Sequence, residues 1–205
     1  MPDRNPELLH RASTALVVVD VQERFRPHIY GFERMLVDTD LLIRGCLELG
    51  VPIAVSEQYP EGLGKTVTEV ERALDAAHDV DGSLVWRMEK LEISTAAASS
   101  WADAPPQISR ADSIVVCGIE THVCVSQTVL DLLHAGRRVH VVADGVGSRD
   151  PWQREIALER LARAGATISS VETVLFELLG RAGTPEFKAV QRLIKEHDRA
   201  VEETP

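Results

Sequence analysis

Residues 14–19 (TALVVV) form an unbroken apolar, β-branched run that stops at a carboxylate, Asp20. A strand that is apolar at every position has both of its faces covered, as strands inside a parallel sheet do. Comparable runs recur at 51–55, 83–86, 113–117, 138–142 and 166–170. Between them, apolar residues fall at helical spacing. Leu36, Leu42, Ile43, Leu47 and Leu49 mark one such stripe, and Val125, Val129, Leu132 and Leu133 another. Gly50, Gly136 and Gly165 each stand where a helix should end, one or two residues before the next apolar run, as left-handed C-terminal caps do. Helix, glycine, strand is the rhythm of a βαβ fold. The pattern therefore predicts an α/β protein with a doubly wound, six-stranded parallel sheet and helices on both faces. No linker or repeat interrupts it, so residues 1–205 read as a single domain. From Thr184 onward, Pro185 and the stripe Phe187, Val190, Leu193 and Ile194 predict a last helix over about 185–198. It would pack on the domain or on a neighbouring subunit.

Composition narrows the function. A formal charge of -10 on 205 residues leaves no basic stripe to displace counterions from a phosphate backbone, which argues against nucleic acid and against an anionic membrane. No apolar run approaches the roughly 20 residues that span a bilayer. The first ten residues lack the hydrophobic core of a signal peptide. The three cysteines, Cys46, Cys117 and Cys124, cannot all pair and match no zinc spacing. A cytoplasmic protein with reduced thiols is the expectation.

Ligands of doubly wound sheets bind beyond the carboxyl ends of the strands. The polar residues there are Asp20 and Gln22; Ser56, Glu57, Gln58 and Tyr59; Arg87, Glu89 and Lys90; the segment 118–124 (GIETHVC); and Asp144, Ser148 and Arg149. Cys124 falls in the first turn of a helix, where unpaired N–H groups and partial positive charge favour a thiolate and can hold an oxyanion. A small buried hydrophobe is the competing reading, and it suffices for Cys46 and Cys117. Asp20 could cap a helix or take a proton from a thiol. Lys90 could be an ordinary solvated lysine. His122, two residues from Cys124, would point away from the thiol and reads as structural. Gln58 and Tyr59 would line or lid a site, or form a plain loop. Phe25 and Trp86 are pocket wall or core, and Asp144 with Arg149 makes a plausible ion pair. Gly145 and Gly147 are no dinucleotide fingerprint, lacking the third glycine and following the fifth strand.

Four segments in order give these residues a common meaning. LVVVDVQERF (16–25), EKLEIS (89–94), VVCGIETHVCVSQTVLDLLHAG (115–136) and VHVVADGVGSR (139–149) resemble the isochorismatase-like cysteine hydrolases, with Ile93 where phenylalanine is usual. The EQYPEGLG loop (57–64) and the tail EFKAVQRLIKE (186–196) are most similar to the isochorismatase-domain-containing subgroup. The resemblance implies a triad of Asp20, Lys90 and Cys124, and a non-proline cis peptide at Ile119–Glu120 whose N–H faces the substrate. It implies an amidase-type attack through a Cys124 thioester on a small-molecule substrate, around which Gln22, Gln58 and Tyr59, by their place beyond the strand ends, and Phe25, as an apolar wall, are expected to lie. The metal-binding Asp-x-His pair of nicotinamidases is missing from VSEQYPEG, and His78 and His122 complete no ligand set, so neither metal nor cofactor is expected. The resemblance also implies a homodimer or homotetramer. A catalytically idle binder of the same fold is the alternative; a redox sensor ranks lower, since only Cys117 stands near as a resolving thiol.

Overall fold

In the computed structural model, which describes residues 4–75 and 83–204, six strands form one parallel sheet. They are β1 (Thr14–Val19), β2 (Ile53–Gln58), β3 (Val85–Lys90), β4 (Ser113–Ile119), β5 (Arg138–Gly147) and β6 (Thr167–Ser169), in the order β3-β2-β1-β4-β5-β6. The alternation of side chains explains why the runs had to be apolar throughout. Leu16 and Val18 of β1 enter one core cluster, while Ala15, Val17 and Val19 enter the other. Among the helices, α1 (Phe32–Glu48), α2 (Pro60–Leu63), α3 (Thr68–Asp75), α4 (Pro106–Ser109), α5 (Ser126–His134), α6 (Pro151–Arg163), α7 (Val171–Leu179) and α8 (Pro185–Glu203) follow in chain order. Residues of α1, α3, α7 and α8 fill the first cluster; residues of α4, α5 and α6 fill the second or pack against it. The doubly wound α/β architecture is thus the one the periodicity predicts.

Four strands run further than their apolar segments. β2 continues to Gln58, β3 to Lys90, β4 to Ile119 and β5 to Gly147. The ladder, not hydrophobicity, sets these ends: Glu57 pairs with Glu89 and Gln58 with Lys90 in register. Much of the polar set expected just beyond the strands therefore sits on them, fixed by backbone hydrogen bonds.

The chain reverses direction across the sheet between β1 and β4, and this opens the crevice where ligands of such sheets bind. Gly118 makes the join possible. It pairs with Val19 at φ 115°, and a Cβ there would lie 2.1 Å from the Val19 carbonyl oxygen. At the other end of the chain, α8 reaches Glu203, beyond the expected 198, and lies on α1. Val190 and Leu193 supply the apolar contact, while Arg44 pairs with Glu196 and Asp38 with His197. His78 lies outside the described residues.

Candidate active site

The site grows from the carboxyl end of β1. Asp20 follows the last β1 residue in the left-handed conformation (φ 53°), which few non-glycine residues adopt, and is fully buried. A buried carboxylate needs partners, and Asp20 has them on both oxygens. Ser56 on β2 donates to Oδ1 at 2.7 Å, and Lys90 on β3 donates to Oδ2 at 2.7 Å. The Lys90 ammonium is itself buried, and its three protons are shared among Asp20, the Gln58 side-chain carbonyl at 2.7 Å, and the backbone oxygens of Glu92 and Ile93 at 3.2 and 3.1 Å. Such a pair repays its desolvation only when the remaining bonds are made, and here they are.

Cys124 arrives from β4. The Ile119–Glu120 peptide is cis, and residues Thr121–Val125 form a π-helical turn that runs directly into α5. The Glu120 carbonyl accepts from the amides of Val123 and Val125 at 2.9 and 3.2 Å, and the Thr121 hydroxyl donates to the Gly147 carbonyl at 2.9 Å. This turn carries the thiol to the buried carboxylate, close enough for Asp20 and Cys124 to perturb each other. Burial raises the Asp20 carboxyl above its ordinary range, and the Lys90 charge with the bonds from Lys90, Ser56 and Cys124 only partly offsets it. Burial also pushes Cys124 up to about 12, with the Asp20 charge adding to the rise and Lys90 opposing it.

Burial, at 7% exposure, and the Asp20 carboxylate both act against the thiolate that a helix end favours. One correction concerns the loop after β5. Asp144 and Arg149 do not pair; Asp144 accepts from the Val171 amide at the start of α7, and Arg149 binds the buried Glu120 carboxylate. Burial works to raise Glu120, but the Arg149 bonds prevail and hold it below the usual carboxylate range.

The remaining candidates divide. Gln22 is fully buried; its amide nitrogen donates to the carbonyls of Gln58 and Gly64, and its oxygen accepts from the Gln58 amide. Gln58 bonds Lys90 through its oxygen and the Leu91 carbonyl through its nitrogen. Both amides are engaged by the protein itself. Phe25 is half-buried against the first core cluster, and Trp86 meets Trp101 edge-on at 6.0 Å. Tyr59 is 49% exposed, with Leu91 and Ile93 also exposed nearby in the loop after Lys90, so these residues form an apolar rim. His122 turns to the Ser148 hydroxyl at 3.0 Å. Ser56 stands among the polar residues expected beyond the second strand, whereas Thr95, one threonine in a polar stretch, carries no signal in the sequence. Among the described residues, no group of three or more His, Cys, Asp or Glu is arranged to hold a metal ion.

A family model described as the isochorismatase domain matches residues 14–173. The chain belongs to the isochorismatase family. It is 40% identical to the secreted isochorismatase effector Isc1 of Phytophthora sojae over 185 residues, covering 90% of this chain and 86% of that protein. It is 41% identical to isochorismatase domain-containing protein 1 of Danio rerio, covering 91% of this chain and 62% of that longer relative. In three dimensions it resembles the MAR1 ribonuclease of Caenorhabditis elegans, with a TM-score of 0.82, 33% identity and 92% of each chain covered. Isochorismatase-like proteins are hydrolases as a class, and that coarse assignment extends to this member. No helix among the described residues is long and apolar enough to cross a membrane.

Proposed function

We propose that this isochorismatase-family protein is a metal-independent cysteine hydrolase that cleaves a C–N bond of a small amide or carbamoyl compound, with no cofactor. The observation that carries the reading is the convergence of Asp20, Lys90 and Cys124 from three different strand ends into one buried cluster. An Asp–Lys pair placed at random beside a cysteine would cost more than it returns, so chemistry is its best justification.

The steps follow from the protonation states. The Cys124 sulfur attacks the carbonyl carbon as its proton passes to Asp20, so the thiolate exists only as the C–S bond forms. The amide N–H groups of Glu120 and Cys124 receive the oxyanion. Asp20 returns the proton to the departing amine, leaving a thioester. Water then attacks that thioester, Asp20 again accepting the proton, and the acid departs as the thiol regains its hydrogen. Lys90 stays charged and keeps Asp20 oriented. Gln22 and Gln58 position that pair, Tyr59 borders the entrance, and Phe25 backs the wall.

The idle-binder reading has one observation in its favour: the thiol is 7% exposed and pushed up to about 12. Screening small amides, ureas and carbamoyl compounds against wild type and Cys124→Ala separates the two. Turnover by wild type alone supports the enzyme; equal, slow turnover by both leaves a binder. Because the Caenorhabditis elegans structural relative is named a ribonuclease, RNA belongs in the panel; the charge of -10 supports a small-molecule substrate instead. The free state of Cys46, Cys117 and Cys124 supports a reducing, cytoplasmic setting, although one relative is named secreted. Exposed Trp152 and Ile156, one turn apart on α6, support a homodimer or homotetramer, which sedimentation would measure.

A further inference from the structure

Asp20 is the end of a chain of hydroxyl groups that leads back to the helix carrying Cys124. Ser56, Thr95 and Thr128 are each fully buried. Ser56 has one proton, and it goes to Asp20 Oδ1 at 2.7 Å. The 3.1 Å contact between Ser56 and Thr95 must therefore be donated by Thr95 while Asp20 is ionised. The Thr95 amide donates in turn to the Thr128 hydroxyl at 2.9 Å, and Thr128 stands on α5 one helical turn beyond Cys124. The carboxylate sets the direction of the Ser56 and Thr95 hydroxyl protons, while the Thr95 amide tethers that pair to α5.

We infer that Ser56 is a positioning residue, and that the Ser56–Thr95–Thr128 chain holds Asp20 in its proton-accepting form at a fixed distance from the nucleophile. This rests on the proposed role of Asp20 as base. Ser56 donates more strongly to a charged oxygen than to a neutral carboxyl, so its bond favours the anion, and the Thr95 hydroxyl aligned behind it strengthens that preference. The other groups facing Asp20 are Lys90 from β3 and Cys124 from the π-helical turn, while Glu120 acts on Cys124 from the start of that turn.

Iodoacetamide tests the inference without a known substrate. Sulfur displaces iodide, the thiol proton passes to Asp20, and the rate at Cys124 reports the acceptor's ionisation. Cys124→Ala supplies the background from the two fully buried cysteines. In wild type, the alkylation rate rises along a limb that Asp20→Asn abolishes. In Ser56→Ala, that limb moves up by roughly one to two pH units, the loss expected for one charge-assisted hydrogen bond. Thr95→Val keeps the backbone bond to Thr128 and shifts the limb by less, in the same direction; it also serves if Ser56→Ala fails to fold. A lowered Tm with an unmoved limb overturns the inference, since the hydroxyls would then be structural only. Absence of an Asp20-dependent limb in wild type overturns the proposed base itself, and this inference with it.

Discussion

Arg149 grips the Glu120 carboxylate through its backbone amide, its Nε and a terminal guanidinium nitrogen, although Glu120 is buried and the Arg149 side chain is 65% exposed. The contact locks the loop after β5 to the residue that opens the turn carrying Cys124. It also sets a positive charge against a carboxylate that raises the Cys124 thiol.

Arg149→Ala should therefore slow reaction at Cys124 about tenfold, the scale of one charge-assisted contact discounted for solvent. Arg149→Lys should recover only part, because an ammonium cannot match the planar fork. The rate of Cys124 alkylation at pH 7.5 measures this. Equal rates in all three proteins would show that the clamp has no bearing on the thiol.

The pH dependence of kcat/KM should rise along a limb set by Asp20. Burial raises its carboxyl, so the limb should lie above the usual carboxylate value of about 3.9. The base form is required, so activity increases with pH and is then flat, since the thiol is pushed up to about 12. A rate that climbs with pH through 8–9, as for an ordinary thiol, would mean that Asp20 does not accept the proton.

Lys90→Met should cost about 3–5 kcal/mol in urea unfolding, since it strands a buried carboxylate with one remaining hydroxyl donor. Adding Asp20→Asn should restore part of that loss, as no unpaired charge remains. Strict additivity of the two losses would show that the groups do not interact.

His140 on β5 is buried, its Nδ1 has no hydrogen-bond partner, and burial lowers its pKa. The unfolded chain therefore takes up this proton first, and stability falls as pH drops below the ordinary histidine value of about 6.5. His140→Leu should flatten the decline of Tm between pH 7 and 5. An identical slope in that variant would assign the acid sensitivity to other groups.

Before any coordinates, the chain already shows where its strands lie and that both faces of the sheet are covered. Leu16, Val17, Val18 and Val19 settle that, because strand side chains alternate and all four are apolar. The strand ends were less legible. Gln58 and Lys90 belong to β2 and β3 by their register with each other, which no single segment displays. Order along the chain also named Asp20, Lys90 and Cys124, through motifs held in common with a family.

Tertiary structure alone decided how those residues meet. Lys90 lies 70 positions from Asp20 yet bonds it at 2.7 Å, because β3 and β1 flank β2 in one sheet. It paired Arg149 with Glu120 instead of Asp144, and brought Ser56 and Thr95 to the carboxylate. It also set the surroundings of Cys124: a helix end acts locally and is legible in sequence, whereas desolvation and a neighbouring carboxylate, which raise the thiol, depend on what the fold packs around the sulfur. Periodicity reports which surfaces must be buried; the strength of a charge depends on the medium that folding builds around it.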